Sequence, residues 1–339
     1  MYSPDEHPDT RTGRIGVLLI NLGSPDATSF WPVRRYLKEF LSDPRVIEAK
    51  GLLWWLIFNG LILTRRPVSL GKAYDEVWNR QTGEAPLKTI TRKQAESMAE
   101  PFVGTDAVEI DWAMRYANPP IGEAIDRLKQ RGCDRILLFP LYPQYSAATT
   151  ATALDKAYEY LKSMRWQPAI RTVPPYFDHP AYIEALAESV RQHLKTLVWQ
   201  PQMMLASFHG LPEKFLTKGD PYHCHCQKTA RLLRGALGYS DDDLMLTFQS
   251  NTGRGRWLEP FTEDTIKDLA AQGTKNLLVI TPGFSADCLE TLEEIDLRAR
   301  DKFLDHGGEN FSMVPCLNDS ELSINMLAQI AGEELSGWA

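Results

Sequence analysis

His209 follows the apolar run 203–208 and opens the turn His-Gly-Leu-Pro. An imidazole at the carboxyl end of a buried strand is placed to take a proton near neutral pH, although a lone His serves equally as a structural hydrogen-bonder. A denser group stands in residues 285–296, where Asp287, Glu290 and Glu294 recur at spacings of three and four. On a helix that spacing puts all three carboxylates on one face. Stacked like charges repel by about 0.2–0.5 kcal/mol per pair, so a helix that keeps them calls for a compensating cation or proton, supplied by a divalent metal or a proton relay. The competing reading is a capping box, with Asp287 as N-cap and Glu290 at N3, which is silent about Glu294. His223, Cys224, His225 and Cys226 are four ligand types in a row, but adjacent residues point apart and zinc sites space their ligands more widely. They read as the first turn of a helix after Gly219-Asp220-Pro221, or else as part of a metal or cluster site.

These side chains need elements to carry them. Four apolar, β-branched runs in the first half, residues 15–22, 108–116, 135–141 and 169–173, read as buried parallel strands. Helical stretches at 121–130 and 151–164 lie between the later ones, which is the alternation of βαβ units. The second half repeats it with strands at 203–208, 244–249, 276–280 and 311–315 and helices at 229–237 and 264–271. Strands two to four of the halves are offset by 133–142 residues and the first strands by about 187, so the first half carries an insertion of about 50 residues. The expected fold is α/β, two similar Rossmann-like domains at 14–170 and 171–317, with an insertion at about 45–85 and a C-terminal helix at 318–339. Ligands of open parallel sheets bind beyond the carboxyl ends of the strands, so two facing halves enclose a cleft lined by those loops. No glycine-rich phosphate loop follows either first strand, which leaves a nucleotide site without support.

The insertion holds residues 51–63, apolar but for Asn59, with Trp54 and Trp55 adjacent and Arg65 and Arg66 just beyond. It is too short to span a bilayer, which takes roughly 20 residues. Trp beside aliphatics with basic residues at the edge suits a segment dipping among headgroups; a buried helix between domains is the alternative. The chain of 339 residues, 43% apolar and 24% charged, has the balance of a soluble globular protein. Its net charge of -7 argues against a nucleic-acid partner. Five Cys without disulfide spacing point to a reducing compartment. Residues 1–14 are polar and acidic, unlike a signal or transit peptide, so a cytoplasmic, peripherally membrane-associated protein is expected.

Seven ordered runs between residues 15 and about 330 resemble the ferrochelatases: INLGSPDA, YLKEFLSDPRVIE, AMRYANPPI, FPLYPQYSAATT, SFHGLPEKFLTKGDPY, TFQSNTGRGRWLEPFTEDT and PGFSADCLETLEEID. The resemblance implies two chelatase-type domains around a porphyrin cleft, with the Trp-rich insertion as a hydrophobic lip touching the membrane that supplies the ring. It implies a lyase inserting Fe²⁺, as substrate, into protoporphyrin IX to form protohaem, acting as monomer or homodimer. The resemblance places His209 and Glu290 on opposite sides of the macrocycle as the catalytic pair, with Glu294 and Asp287 joining them in relay or iron path on the acidic face of a helix with a π-type turn. Leu22, Arg115, Tyr116, Tyr142, Trp257, Ser250, Arg65 and Tyr74 match porphyrin-binding positions.

Departures from the pattern stand beside it. Cys288 replaces a common His, Asn251 a usually basic residue, and Leu22 the Tyr of members that use coproporphyrin. Ala147 stands where cluster-bearing members have Cys, and no cysteine-rich tail precedes Ala339, so no [2Fe–2S] cluster is expected. Alternatives are a chelatase for coproporphyrin III or another divalent metal, and a non-catalytic haem or metal carrier.

Overall fold

The computed structural model describes residues 11–49, 51–102, 107–251 and 255–338. Most of the polar start, residues 1–10, lies outside them, as do residues 252–254 of the TFQSNTGRGRW run.

Among the described residues, eight parallel strands form two sheets. The first contains β1 (Arg14–Asn21), β2 (Val108–Met114), β3 (Cys133–Pro140) and β4 (Ala169–Thr172) in the order β2-β1-β3-β4. The second contains β5 (Met203–His209), β6 (Leu244–Gln249), β7 (Asn276–Ile280) and β8 (Asn310–Met313) in the matching order β6-β5-β7-β8. Identical order in both halves is the duplication that the strand offsets implied.

Alternation along β1 sorts its side chains to two cores. Leu18 and Ile20 pack under the helices Ile121–Gln130 and Thr152–Leu161, while Ile15, Val17 and Leu19 face the other way. On that second face they join Met204, Ala206 and Phe208 of β5, with the helices Pro86–Met98, Pro180–Leu194, Tyr222–Leu237 and Glu321–Leu335, in one core shared by both halves. The C-terminal helix reaches back to the first sheet, where Arg171 donates to the carbonyls of Glu334 and Ser336.

The β1–β2 connection runs from residue 22 to 107, against 210 to 243 between β5 and β6. Its extra chain forms the helix Phe30–Ser42 and a nearly continuous helix from Leu52 to Val77 with a π-type stretch at Phe58–Ile62. No residue of Leu52–Ile57 is buried, which removes the buried-helix reading. Leu52, Leu53, Trp55 and Leu56 are 53–75% exposed, and Trp31 of the helix Phe30–Ser42 is exposed as well. Trp54 instead stacks on buried Phe58 at 5.7 Å and belongs to the lip's own core. Among the described residues no helix is long and apolar enough to cross a membrane.

Candidate active site

His209 ends β5, half-buried, in register with Gln249 of β6. Its Nδ1–H donates to the Gly210 carbonyl oxygen at 2.7 Å. A carbonyl only accepts, so the neutral ring carries its proton on Nδ1 and keeps the Nε2 lone pair open. Gly210 is required here: a Cβ would sit 2.6 Å from the Gln249 carbonyl oxygen and 3.5 Å from the Trp257 ring. The turn is therefore drawn against β6, with Trp257 alongside.

The carboxylates follow β7. The chain makes a short α turn at Leu289–Thr291, a π-helical stretch at Leu292–Ala299 and an α turn at Arg300–Asp305. A capping box exists, but one residue along from the expected one: Cys288 is the N-cap, and its amide donates to Thr291 Oγ1 at 3.0 Å. Glu290 is thereby free of capping. Its backbone carbonyl accepts from Gln249 Nε2 at 2.7 Å, while its charge is felt by Tyr36, Tyr74 and Cys288. Burial pushes the Cys288 thiol well above its ordinary value, reinforced by Glu290, so it stands as a neutral thiol.

Glu294 lies past the junction into the wider π turn, where residues four apart no longer stack as in an α-helix. Burial, and then the charge of Glu290, push its carboxyl above the usual range; the Ser250 hydroxyl, donating at 2.6 Å, opposes them together with His209 and Arg298. Ser250 holds a left-handed φ of 63° at the end of β6 and is spent on Glu294. A cavity of about 210 Å³ bounded by Ser250, Glu263, Arg298 and Lys302 opens beside this carboxylate. A raised carboxyl favours the folded state while protonated and loses that contribution as pH rises through its folded value. Glu294→Gln is therefore expected to raise the melting temperature at pH 8 and to leave it unchanged near pH 4, where wild type is already neutral; equal shifts at both pH values would refute this account.

Asp287 stands apart from the other two. Its carboxylate accepts from Thr291 Oγ1 at 3.0 Å, Asn318 Nδ2 at 2.6 Å and the Cys316 amide at 3.3 Å. Among the described residues no three His, Cys, Asp or Glu side chains form a group able to hold a metal, so His209, Glu290, Glu294 and Asp287 are not a ready-made cage.

The remaining expected pocket residues divide. Leu22 bridges two clusters, one around Tyr36 and Tyr116 and one containing Ala286 and Cys288, so it reaches the acid-bearing loop. The Tyr142 hydroxyl is buried without a protein partner, leaving a donor unspent. Arg115 and Tyr116 do not present themselves as ring donors. Arg115 pairs with Asp43 at 2.5 Å and donates to Thr152, while Tyr116 is fully buried and donates to the same Asp43 at 2.9 Å. Burial pushes Asp43 upward, but hydrogen bonds from Thr152, the Arg45 amide and Tyr116, aided by Arg115, hold it below the ordinary carboxylate value. Tyr74 is buried against Ala85 and Leu289, and Arg65 lies exposed on the lip helix. The His223–Cys226 run opens the helix Tyr222–Leu237 as a helix-entry segment, seven residues before the apolar stretch 229–237, and its side chains scatter: Cys224 is exposed, Cys226 buried, and His225 stacks on Phe177 at 3.7 Å.

Sequence reading missed Gln94, Gln249 and Asn318, which tie the loops together. Gln94 was detectable as a polar residue on the buried stripe formed by Leu87, Thr91 and Met98.

Two like-ordered parallel sheets, with a base after one strand and carboxylates after another, define the chelatase class. SirB from Bacillus subtilis, solved with Fe³⁺, shares this fold at a TM-score of 0.54, with 11% identity over 94% of this chain and 95% of that one. The family model described as Ferrochelatase matches residues 14–335. Ferrochelatase of Agrobacterium fabrum is 56% identical over 99% of this chain and 97% of its own length, and that of Rhizobium meliloti 55% identical over 100% of each. The chain belongs to the ferrochelatase family, lyases that insert ferrous iron into a porphyrin in haem synthesis.

Proposed function

We propose that this chain metallates protoporphyrin with His209 as the acceptor of the pyrrole protons and Glu290, backed by Glu294, as the acidic path for protons or iron. Insertion exchanges two N–H protons of the ring for one Fe²⁺ that sheds its water, with no change of oxidation state. A base with an open lone pair and oxygen ligands that exchange readily suit those needs, whereas thiolates would hold the ion. The observation carrying the reading is the Nδ1 bond of His209, which leaves Nε2 to receive a proton. Anaerobic incubation with protoporphyrin and excess Fe²⁺ tests it: many turnovers per chain are expected, and one equivalent of metalloporphyrin would instead identify a carrier.

Leu22 supports protoporphyrin over a more carboxylated ring. It presents no oxygen to iron and sits in an apolar setting with Leu87, Ile90 and Phe284. A higher kcat/KM for protoporphyrin than for coproporphyrin is expected, and the reverse order would overturn this preference. The buried Tyr142 hydroxyl has a hydrogen bond to offer the ring.

The exposed lip supports contact with a membrane surface, its apolar residues entering between headgroups and Arg65 and Arg66 facing anionic lipid. Replacing Leu52, Leu53, Trp55 and Leu56 together by Ser is expected to weaken binding to anionic vesicles by about tenfold or more, given roughly 25 cal/mol per Å² of apolar surface withdrawn from water. Turnover with detergent-solubilised porphyrin should persist. Unchanged vesicle partitioning would rule the surface out as a membrane contact. Trp54 is left intact because it holds the lip together.

A further inference from the structure

The Glu290 carboxylate is held less by its own hydrogen bonds than by the backbone beneath it, and that backbone is fixed from two directions. Gln249 fixes one side, donating to the Glu290 carbonyl while accepting from Ser207 Oγ at 2.8 Å. The other side is held by a chain of groups that begins in the opposite half of the protein. Gln94, fully buried in the helix Pro86–Met98, donates through Nε2 to the carbonyls of Ser285 at 3.1 Å and Asn318 at 2.8 Å. Its Oε1 has no protein partner, so the amide's orientation is set by the two carbonyls.

Those carbonyls belong to the loops after β7 and β8, which Asn318 and Asp287 knit together. Asn318 sits at a left-handed φ of 51° and pairs with Asp287 twice: its Nδ2 donates to Asp287 Oδ2 at 2.6 Å, and its Oδ1 accepts from the Asp287 amide at 2.8 Å. Asp287 Oδ1 then accepts from the Cys316 amide and from Thr291 Oγ1, and the Thr291 oxygen accepts the Cys288 amide that starts the helix. A path of hydrogen bonds therefore runs Gln94, Asn318, Asp287, Thr291, and its last members bracket Glu290.

We propose that Asp287 is a positioning residue for Glu290 and that Gln94 latches the Asp287–Asn318 unit to the first half, so that the helix of one half holds the working carboxylate of the other in place. The proposal rests on the role given to Glu290 above. It removes Asp287 from the iron or proton path. Both oxygens of Asp287 already accept from protein donors, three in all, and a group so occupied orients its neighbours. The Glu290 carboxylate meanwhile keeps its capacity for proton or metal, because rigidity has been placed in the main chain under it.

Exchange of the Asp287–Asn318 pair separates positioning from direct participation. Asp287→Asn alone turns an NH2 toward a donor, either Asn318 Nδ2 or the Cys316 amide, and kcat is expected to fall about ten- to a hundredfold, the scale of a catalytic group misplaced by about 1 Å. Porphyrin affinity, read by fluorescence titration, should stay within about twofold. Adding Asn318→Asp restores donor and acceptor in reversed order and should return at least half of kcat. A relay or ligand at residue 287 would not be rescued by a carboxylate at residue 318, so failure of the well-folded double variant to recover overturns the proposal.

Two further variants keep the test decisive if the pair folds poorly. Asn318→Gly tolerates the left-handed φ while removing the side chain, and Gln94→Met keeps volume while removing the latch. Each should lower kcat with porphyrin affinity retained, and native kcat in both would refute the proposal. Val190→Ala, in the shared core away from these loops, controls for lost stability: it should lower the melting temperature without lowering kcat. Wild-type turnover, measured alongside, shows separately whether the chelatase reading itself stands.

Discussion

Replacing His209 by Ala is expected to leave porphyrin binding within about threefold of wild type while slowing metallation at least about a hundredfold, the usual scale of a lost general base. Binding should persist because the residues expected to give the ring its apolar contacts, Leu22, Tyr142 and Trp257, make no hydrogen bond to the imidazole. Metallation should fail because the other described imidazoles are engaged elsewhere: His179 with Glu333, His193 with Ser312 and His306 with the Lys302 carbonyl, while His223 and His225 lie on the helix Tyr222–Leu237, where His225 is stacked against Phe177. Excess Fe²⁺ should not restore the rate, since the missing step is proton removal. His209→Gln sharpens the result: it can still hydrogen-bond the Gly210 carbonyl but offers no basic nitrogen, so it should be as slow as Ala. Near-normal turnover in either variant would sink the assignment, and lost porphyrin binding would recast His209 as a pocket residue.

What was legible in the chain follows a physical division. The strands could be read because a buried parallel sheet demands unbroken apolar runs, and the duplication because those runs recur at a nearly fixed offset. Helix boundaries were less visible. The helix Tyr222–Leu237 begins seven residues before its apolar periodicity, since Pro221 and the Asp220 carboxylate, which accepts the Tyr222 amide, start it without an apolar signal. The π-helical stretch Leu292–Ala299 was implied by the family resemblance alone, because its side-chain pattern does not reveal the additional residue in each π turn.

His209, Glu290 and Glu294 could be singled out from residue type, strand-end position and spacing, because those signals are local. The capping assignment slipped by one residue because Asp287, the better N-cap by type, is drawn away by Asn318 and Cys316, and Cys288 takes its place. Arg115 and Tyr116 were expected at the porphyrin because they match pocket positions of the family they resemble. Spacing carried no hint of Asp43, some seventy residues earlier in the chain, which collects both. Partners that distant leave no local trace in a single sequence.

Glu290→Gln is expected to lower kcat by at least about a hundredfold, because it preserves size and removes the charge that passes protons or iron. The loss should differ from that of His209→Ala in its dependence on metal. If Glu290 helps iron shed its water, raising Fe²⁺ should recover part of the rate in Glu290→Gln and none in His209→Ala. If Glu290 only accepts protons, neither variant recovers. Cys288→Ser is the neighbouring control. Its thiol is buried and held neutral beside Glu290, and a hydroxyl keeps the capping geometry, so turnover should stay within about threefold of wild type, whereas removal of a true acid–base group costs about a hundredfold or more. A loss in Cys288→Ser as deep as that in Glu290→Gln would place the sulfur in the transfer itself. Steady-state metallation of the three variants across a range of Fe²⁺ concentrations, with porphyrin affinity titrated in parallel, distinguishes these cases. Native kcat in Glu290→Gln would take the carboxylate out of the mechanism and with it the reason for holding its backbone so firmly.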